Sequence, residues 1–271
     1  MVSFIFGGLT GVLLALPPVD WQVHNSLFLV AHFHHVIIPG VLFGVIAGYT
    51  YWFPKAFGFK LDEAWGKAAF WSWFIGFHLA FMPLYVVGLM GMTRRMQHYD
   101  VLAWRPWLLV AEAGAVVILA GIVCQITQLV VSFRARAQLR DVTGDPWNGR
   151  TLEWSTVSPP PAWNYGVLPR VTERDAFWAS KKLPGAKRGQ SAPSPEYKSI
   201  EMPENSATGF ITAFFAVVTG FALIWHIWWM AILGVFGAFV TLLVFAFRDR
   251  DEFEVPAATI AQFDRGKGGM L

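Results

Sequence analysis

Two histidines, His32 and His34, flank Phe33 inside an apolar run from Leu27 to Tyr51. A helix turns ~100° per residue, so side chains at i and i+2 lie ~200° apart and leave on nearly opposite faces. Such a pair cannot easily chelate one metal. It suits two metal centres, one on each side of a single helix, an arrangement that brings redox groups close together. A histidine within a membrane span is a functional candidate by default, and neutral imidazole is a good axial ligand for haem iron. The plainer alternative at both positions is a helix–helix hydrogen bond. Of the seven histidines, four fall between 24 and 35. His35, ~100° round from His34, reads as a polar contact rather than a third ligand. His78 and His226 read as structural and His98 as a solvated loop residue. A zinc hydrolase would carry His-Glu-x-x-His, with both ligands on one face. That spacing is absent, and no carboxylate lies between His24 and His35.

Arg94 and Arg95 form the second chemistry-bearing pair. Guanidinium groups pair in a fork with carboxylates, and each haem carries two propionates, so the pair reads as an anion clamp. Snorkelling toward lipid headgroups is the plainer reading. His24 precedes His32 by eight residues, ~12 Å along a helix axis. It therefore marks the outer end of the helix, the level at which propionates of haems held by His32 and His34 would meet the arginines. Glu112 reads as a solvated or capping carboxylate. Cys124 reads as core packing, and one cysteine allows no disulfide within the chain.

Membrane helices must hold these residues. Hydrophobic residues make up 55% of the 271 and charged residues 14%. The apolar ones are blocked into runs that can cross a bilayer at ~20 residues per span. The expected fold class is an all-α polytopic transmembrane helix bundle: one partial and five full spans, an outer arginine loop and a long irregular inner loop. The partial helix is 1–16. It lacks a basic n-region and a cleavage site, so it reads as the second half of a membrane helix rather than a signal peptide. The chain is on that reading the C-terminal part of a larger protein.

The full spans are 26–51, 68–90, 107–133 and two within 207–247, which reverse at the Trp225–Trp229 cluster, since Trp favours interfaces. Residues 17–25 are expected as an outer loop opened by Pro17-Pro18, and Asn25-Ser26 as a helix start. Pro39 and Pro83 predict kinks, and Trp52-Phe53-Pro54 the inner end of the first span. Segment 134–206 reads as irregular, with Lys181 to Pro195 flexible, and 248–271 as an inner tail. In this threading 18 of the 21 Lys and Arg lie inside, in line with the positive-inside rule. The C-terminus is then cytoplasmic, and the net charge of +3 calls for no nucleic acid partner.

The stretch from His24-Asn25-Ser26 through Ala31-His32-Phe33-His34 resembles the tenth transmembrane helix of subunit I of the haem-copper oxidases. Gly91-Met92-Thr93-Arg94-Arg95 resembles that subunit's arginine pair. The similarity continues through Thr143-Gly144-Asp145-Pro146-Trp147 and Gly149-Arg150-Thr151-Leu152-Glu153-Trp154 into the last two spans. Three features resemble the cytochrome bo-type quinol oxidase branch. These are Asn25 where cytochrome c oxidases carry Asp, Ser26-Leu27-Phe28 where they carry Thr-Tyr-Tyr, and the extra C-terminal pair of spans. Pro39 and His35 depart from that branch's pattern, which has Gly and Asn there.

The resemblance implies a role for each matched residue. His32 would bind the high-spin haem (o, a or b type), and His34 the low-spin haem (b or a type). Phe33 would lie between the haems, Arg94 and Arg95 would hold the propionates, and His24 would join the polar network above them. The copper of the binuclear centre would take its ligands from outside this chain. The implied partners are the N-terminal part of subunit I, oxidase subunits II, III and IV, ubiquinol, O2 and membrane lipid, in the inner membrane of a bacterium. Alone, the chain would be inactive. A cytochrome c oxidase fragment and a non-catalytic split-gene scaffold are the alternatives.

Overall fold

A computed structural model describes residues 1–169, 171, 173–182, 196–248 and 252–265. The chain forms two units, 1–160 with 175–180 and 161–174 with 181–271.

The first unit begins with α1 (Val2–Leu14), followed by α2 (Pro17–Val23) at 104° to it. Residues 17–23, expected as loop, are therefore helical. Proline in a first helical turn forfeits no intrahelical bond, so Pro17 and Pro18 open a helix here. Ser26 caps α3 (Leu27–Ile37): its Oγ accepts from the Phe28 N–H at 3.1 Å and donates to the Val23 carbonyl at 2.6 Å.

Pro39 widens the helix instead of breaking it. Its missing N–H releases the His35 carbonyl, and the chain passes through a π turn, Ile38–Leu42, into α4 (Phe43–Phe57). Gly7 of α1 lies against the released carbonyl. A Cβ there would stand 2.8 Å from the His35 oxygen, so glycine is what lets the two helices approach. The expected helix end at Pro54 is also displaced. α4 runs on to Phe57 and stops at Gly58, whose φ of 78° makes a left-handed C-cap.

α5 (Glu63–Leu89) is capped by Asp62, which accepts from the Trp65 N–H at 2.9 Å, and it contains Pro83. A short turn at Leu102–Trp104 leads into α6 (Arg105–Arg134). α1 packs on α3, α3 on α5, and α5 on α6. Four helical stretches are long and apolar enough to cross a membrane, five if the bent α1–α2 pair counts as one.

The segment after α6 is less irregular than its composition suggests. Trp154, 1% exposed, donates from Nε1 to the Tyr51 hydroxyl, and Trp147 donates to the Tyr51 carbonyl. Lys55 of α4, counted from sequence as inner-face charge, is buried. Its Nζ donates to the carbonyls of Gly144 (2.8 Å), Thr156 (2.9 Å) and Val157 (3.3 Å). These bonds dock the Thr143–Trp147 and Gly149–Trp154 motifs on the end of α4. A further short helix, α7 (Ala176–Lys182), covers the first two residues of the stretch expected to be flexible; 183–195 lie outside the described residues.

In the second unit, β1 (Ile200–Pro203) pairs antiparallel with β2 (Glu252–Val255), in register Ile200↔Val255. The chain is mostly helical as expected, and this one two-stranded ribbon is an addition to the expected all-α bundle, within the segment read as irregular and the inner tail. Ile200 and Met202 are less exposed than Glu201 and Pro203, a two-residue alternation too short to stand out from sequence. Between the strands run α8 (Thr208–Ile224) and α9 (Trp228–Ala246), joined by a three-residue turn in which His226 is left-handed at φ 58°. The predicted reversal is thus Trp225–Ile227. α10 (Ala257–Arg265) follows β2 and buries Ile260.

Candidate functional site

The histidines on α3 share one local device. His34 and His35 each direct Nδ1 to a carbonyl one turn back, Val30 at 2.7 Å and Ala31 at 2.9 Å. A carbonyl only accepts, so Nδ1 carries the hydrogen and Nε2 is left with its lone pair. His32 Nδ1 has its partner on another helix: it lies 3.1 Å from the Thr10 hydroxyl of α1. Carbonyls of its own helix stand within reach of the one Thr10 hydrogen, Phe6 at 2.8 Å and Gly7 at 3.1 Å, an arrangement that leaves its oxygen able to accept from His32.

The two rings take different neighbours. His32 faces α1, where a Cβ on Gly11 would stand 2.9 Å from its Cε1 and 3.6 Å from its Nε2. The His34 ring stacks on Phe81 of α5, centroids 4.4 Å apart, with half-buried Phe33 tilted at 4.5 Å. No hydrogen bond engages Nε2 of either His32 or His34 among the described residues. Each is half-buried and offers one nitrogen lone pair to a metal.

His35 makes a polar contact, through Nδ1 to Ala31, and is also part of an aromatic cluster. It is fully buried against Phe77, Tyr85 and Phe6, and its Nε2 has no partner. His78, with Nδ1 on the Phe74 carbonyl at 2.8 Å, lies 6.1 Å from it, ring to ring.

The arginine loop meets the start of α3. The Arg94 N–H donates to the Asn25 carbonyl and the Leu27 N–H to the Met92 carbonyl, both at 2.9 Å, around an antiparallel Ser26–Thr93 bridge. Asn25 and Arg95 are left-handed, φ 59° and 68°, and these two reversals let the strands meet. Arg94 is half-buried and Arg95 exposed. His24 stands on the same end, exposed, with Nδ1 3.3 Å from the Asp20 carboxylate. The structure therefore brings His24, Arg94 and Arg95 to one end of the helix that carries His32 and His34. Glu112 is exposed in the eighth position of α6, so it caps nothing. No cluster of three or more His, Cys, Asp or Glu fit to hold a metal ion occurs among the described residues.

Residues 1–117 match the family model for cytochrome c and quinol oxidase polypeptide I. A probable cytochrome c oxidase subunit 1 of Bradyrhizobium diazoefficiens is 63% identical over 98% of this chain and 40% of its own length. The ubiquinol oxidase subunit 1 of Acetobacter aceti is 53% identical over 97% of this chain and 40% of its own length. The chain is thus similar to this polypeptide I family along nearly its whole length. A cytochrome bo(3) ubiquinol oxidase subunit 1 of Buchnera aphidicola is 47% identical, again over 97% and 40%. The chain thus spans about 40% of the length of the curated relatives it matches.

The residues read from sequence as the haem site, His24, His32, Phe33, His34, Arg94 and Arg95, all fall within the matched residues 1–117. Three others at the site escaped sequence reasoning: Thr10, Gly11 and Tyr85. The signal available for the first two was Gly7-Gly8-Leu9-Thr10-Gly11. Glycines four apart mark a helix face built for close approach, and a polar residue beside them points at whatever approaches.

Proposed function

We propose that this chain is part of the catalytic subunit of a proton-pumping terminal oxidase that oxidises ubiquinol and reduces O2 to water. The observation that carries the reading is that His32 and His34 each engage Nδ1 and leave Nε2 bare, on one helix with different neighbours. That donor set, with the room left by Gly11, fits one histidine from this chain that would hold iron on each side of the helix. His32 would ligate the high-spin haem and His34 the low-spin haem, with Phe33 between them. The haems, when bound, supply the electron path from quinol to oxygen, completed by a copper whose ligands lie outside this chain.

The chain's own residues hold and tune. Anchoring Nδ1–H fixes each ring and makes Nε2 a stronger donor. Arg94 and Arg95 would pair with propionates, in a loop whose place is set by the Arg94–Asn25 backbone bond. His24 would extend the polar layer at that end.

The test is a pair of substitutions in the assembled oxidase, read by reduced-minus-oxidised and CO-difference spectra of membranes. His34→Ala is expected to abolish the low-spin band, and His32→Ala the CO-binding signal. Retention of both signals would overturn the reading. A cytochrome c oxidase is the second reading, favoured by the name of the 63% identical relative. O2 uptake driven by reduced cytochrome c but not by ubiquinol would select it.

A further inference from the structure

Thr10 on α1, Tyr85 on α5 and His32 on α3 meet at a single oxygen. Thr10 Oγ1 lies 3.1 Å from His32 Nδ1 and 3.0 Å from the Tyr85 hydroxyl, while its hydrogen goes to the carbonyls of Phe6 and Gly7. A threonine that back-bonds to its own helix is common and by itself signifies little. Here, however, two carbonyls of its own helix stand within reach of the only hydrogen, and with the hydrogen placed there both of the oxygen's lone pairs are open to the His32 N–H and the Tyr85 O–H.

The meeting point is also built by packing. Tyr85 is buried with Phe28 and Ala31 of α3, its ring 4.9 Å from that of Phe28. Gly7 lies three residues before Thr10 and Gly11 one residue after it, and each would strike α3 if it carried a Cβ. α1 comes close enough for a hydroxyl on a short side chain to reach a ring on the neighbouring helix.

We propose that Thr10 and Tyr85 are positioning residues that set, with opposite signs, how strongly His32 donates to iron. The proposal rests on the reading that His32 ligates the high-spin haem. An acceptor on Nδ1–H draws the proton away from the ring and gives the imidazole partial imidazolate character. Nε2 becomes the stronger donor, which favours the ferric state. Thr10 is that acceptor. Tyr85 competes for the same oxygen: by donating to it, the phenol draws off electron density that His32 would otherwise use. Removing Thr10 should therefore weaken the donor, and removing Tyr85 should strengthen it.

The assembled oxidase carrying this chain tests this through two readouts besides turnover. One is the iron–histidine stretching band of the reduced high-spin haem in resonance Raman spectra. The other is the midpoint potential of the CO-binding haem. Thr10→Val, and Thr10→Ala as the variant that cannot crowd the contact, are expected to lower the band frequency and raise the potential. Thr10→Ser is expected to restore both. Tyr85→Phe is expected to move both the other way. A band unmoved in Thr10→Ala, or moved in the same direction by Thr10→Ala and Tyr85→Phe, overturns the proposal while leaving His32 as a ligand. A wild-type band that persists in His32→Gly shows that the underlying ligand reading is wrong, and the proposal falls with it.

Discussion

At the scale of single residues, the site depends on which nitrogen of each imidazole is free. His34 is fixed by its own helix, through the Val30 carbonyl, while His32 is fixed by another helix, through Thr10. Side-chain substitutions elsewhere therefore reach His32 more easily than His34. Gly11 makes this concrete. A Cβ there would stand 2.9 Å from the His32 ring, tighter than side-chain contacts tolerate, so the imidazole or α1 must shift. Gly11→Ala is expected to diminish the CO-binding haem signal and leave the low-spin signal near wild type, measured in the same membranes. Arg94 allows a second prediction. Positive charge beside a haem favours its reduced state, so Arg94→Leu should lower the midpoint potential, and losing a charge-assisted bond should weaken haem retention by about 1.5–3 kcal/mol. Redox titration and haem-loss kinetics measure the two effects.

At the scale of elements, the sequence told much about the ligand helix and less about how it is joined to its neighbours. The His32–His34 spacing, the Ser26 cap and the Pro39 irregularity were all readable, because each rests on local backbone chemistry. The Asn25–Arg94 junction was not. It depends on two left-handed residues, Asn25 and Arg95, seventy positions apart, and only the fold brings them together. The helix over 17–23 was misread for a related reason: two prolines signal a break and also suit a first turn, and composition does not choose between them. Lys55 likewise reads as a surface charge until its ring of carbonyls is seen. Replacing it by Met leaves buried acceptors without a donor, at about 1–3 kcal/mol for each group left unsatisfied. Lys55→Met is thus expected to speed limited proteolysis between Asp141 and Pro160, with little change in the haem spectra.

At the scale of the molecule, the proposed reading gives this chain one ligand on each side of a helix, and among the described residues no cluster of ligands completes either centre. Each of His32 and His34 offers a single nitrogen, and no cluster fit for a metal gathers three or more ligands among the described residues. Expressed by itself in membranes, the chain is expected to hold no stoichiometric haem; a pyridine haemochrome assay of the purified chain checks this. On the proposed reading, co-expression with the N-terminal part of an oxidase subunit I should restore binding. The π turn at Ile38–Leu42 bears on that assembly. One extra residue in a turn advances everything beyond it by ~100° about the helix axis. The ligand half and the Lys55 half of this helix therefore keep separate angular frames. Deleting one residue between 38 and 42 would leave both histidines in place while swinging Lys55 away from Gly144 and Thr156. The turn thus acts as a phase offset, through which a backbone irregularity beside the histidines decides which way a lysine faces at the far end of the helix.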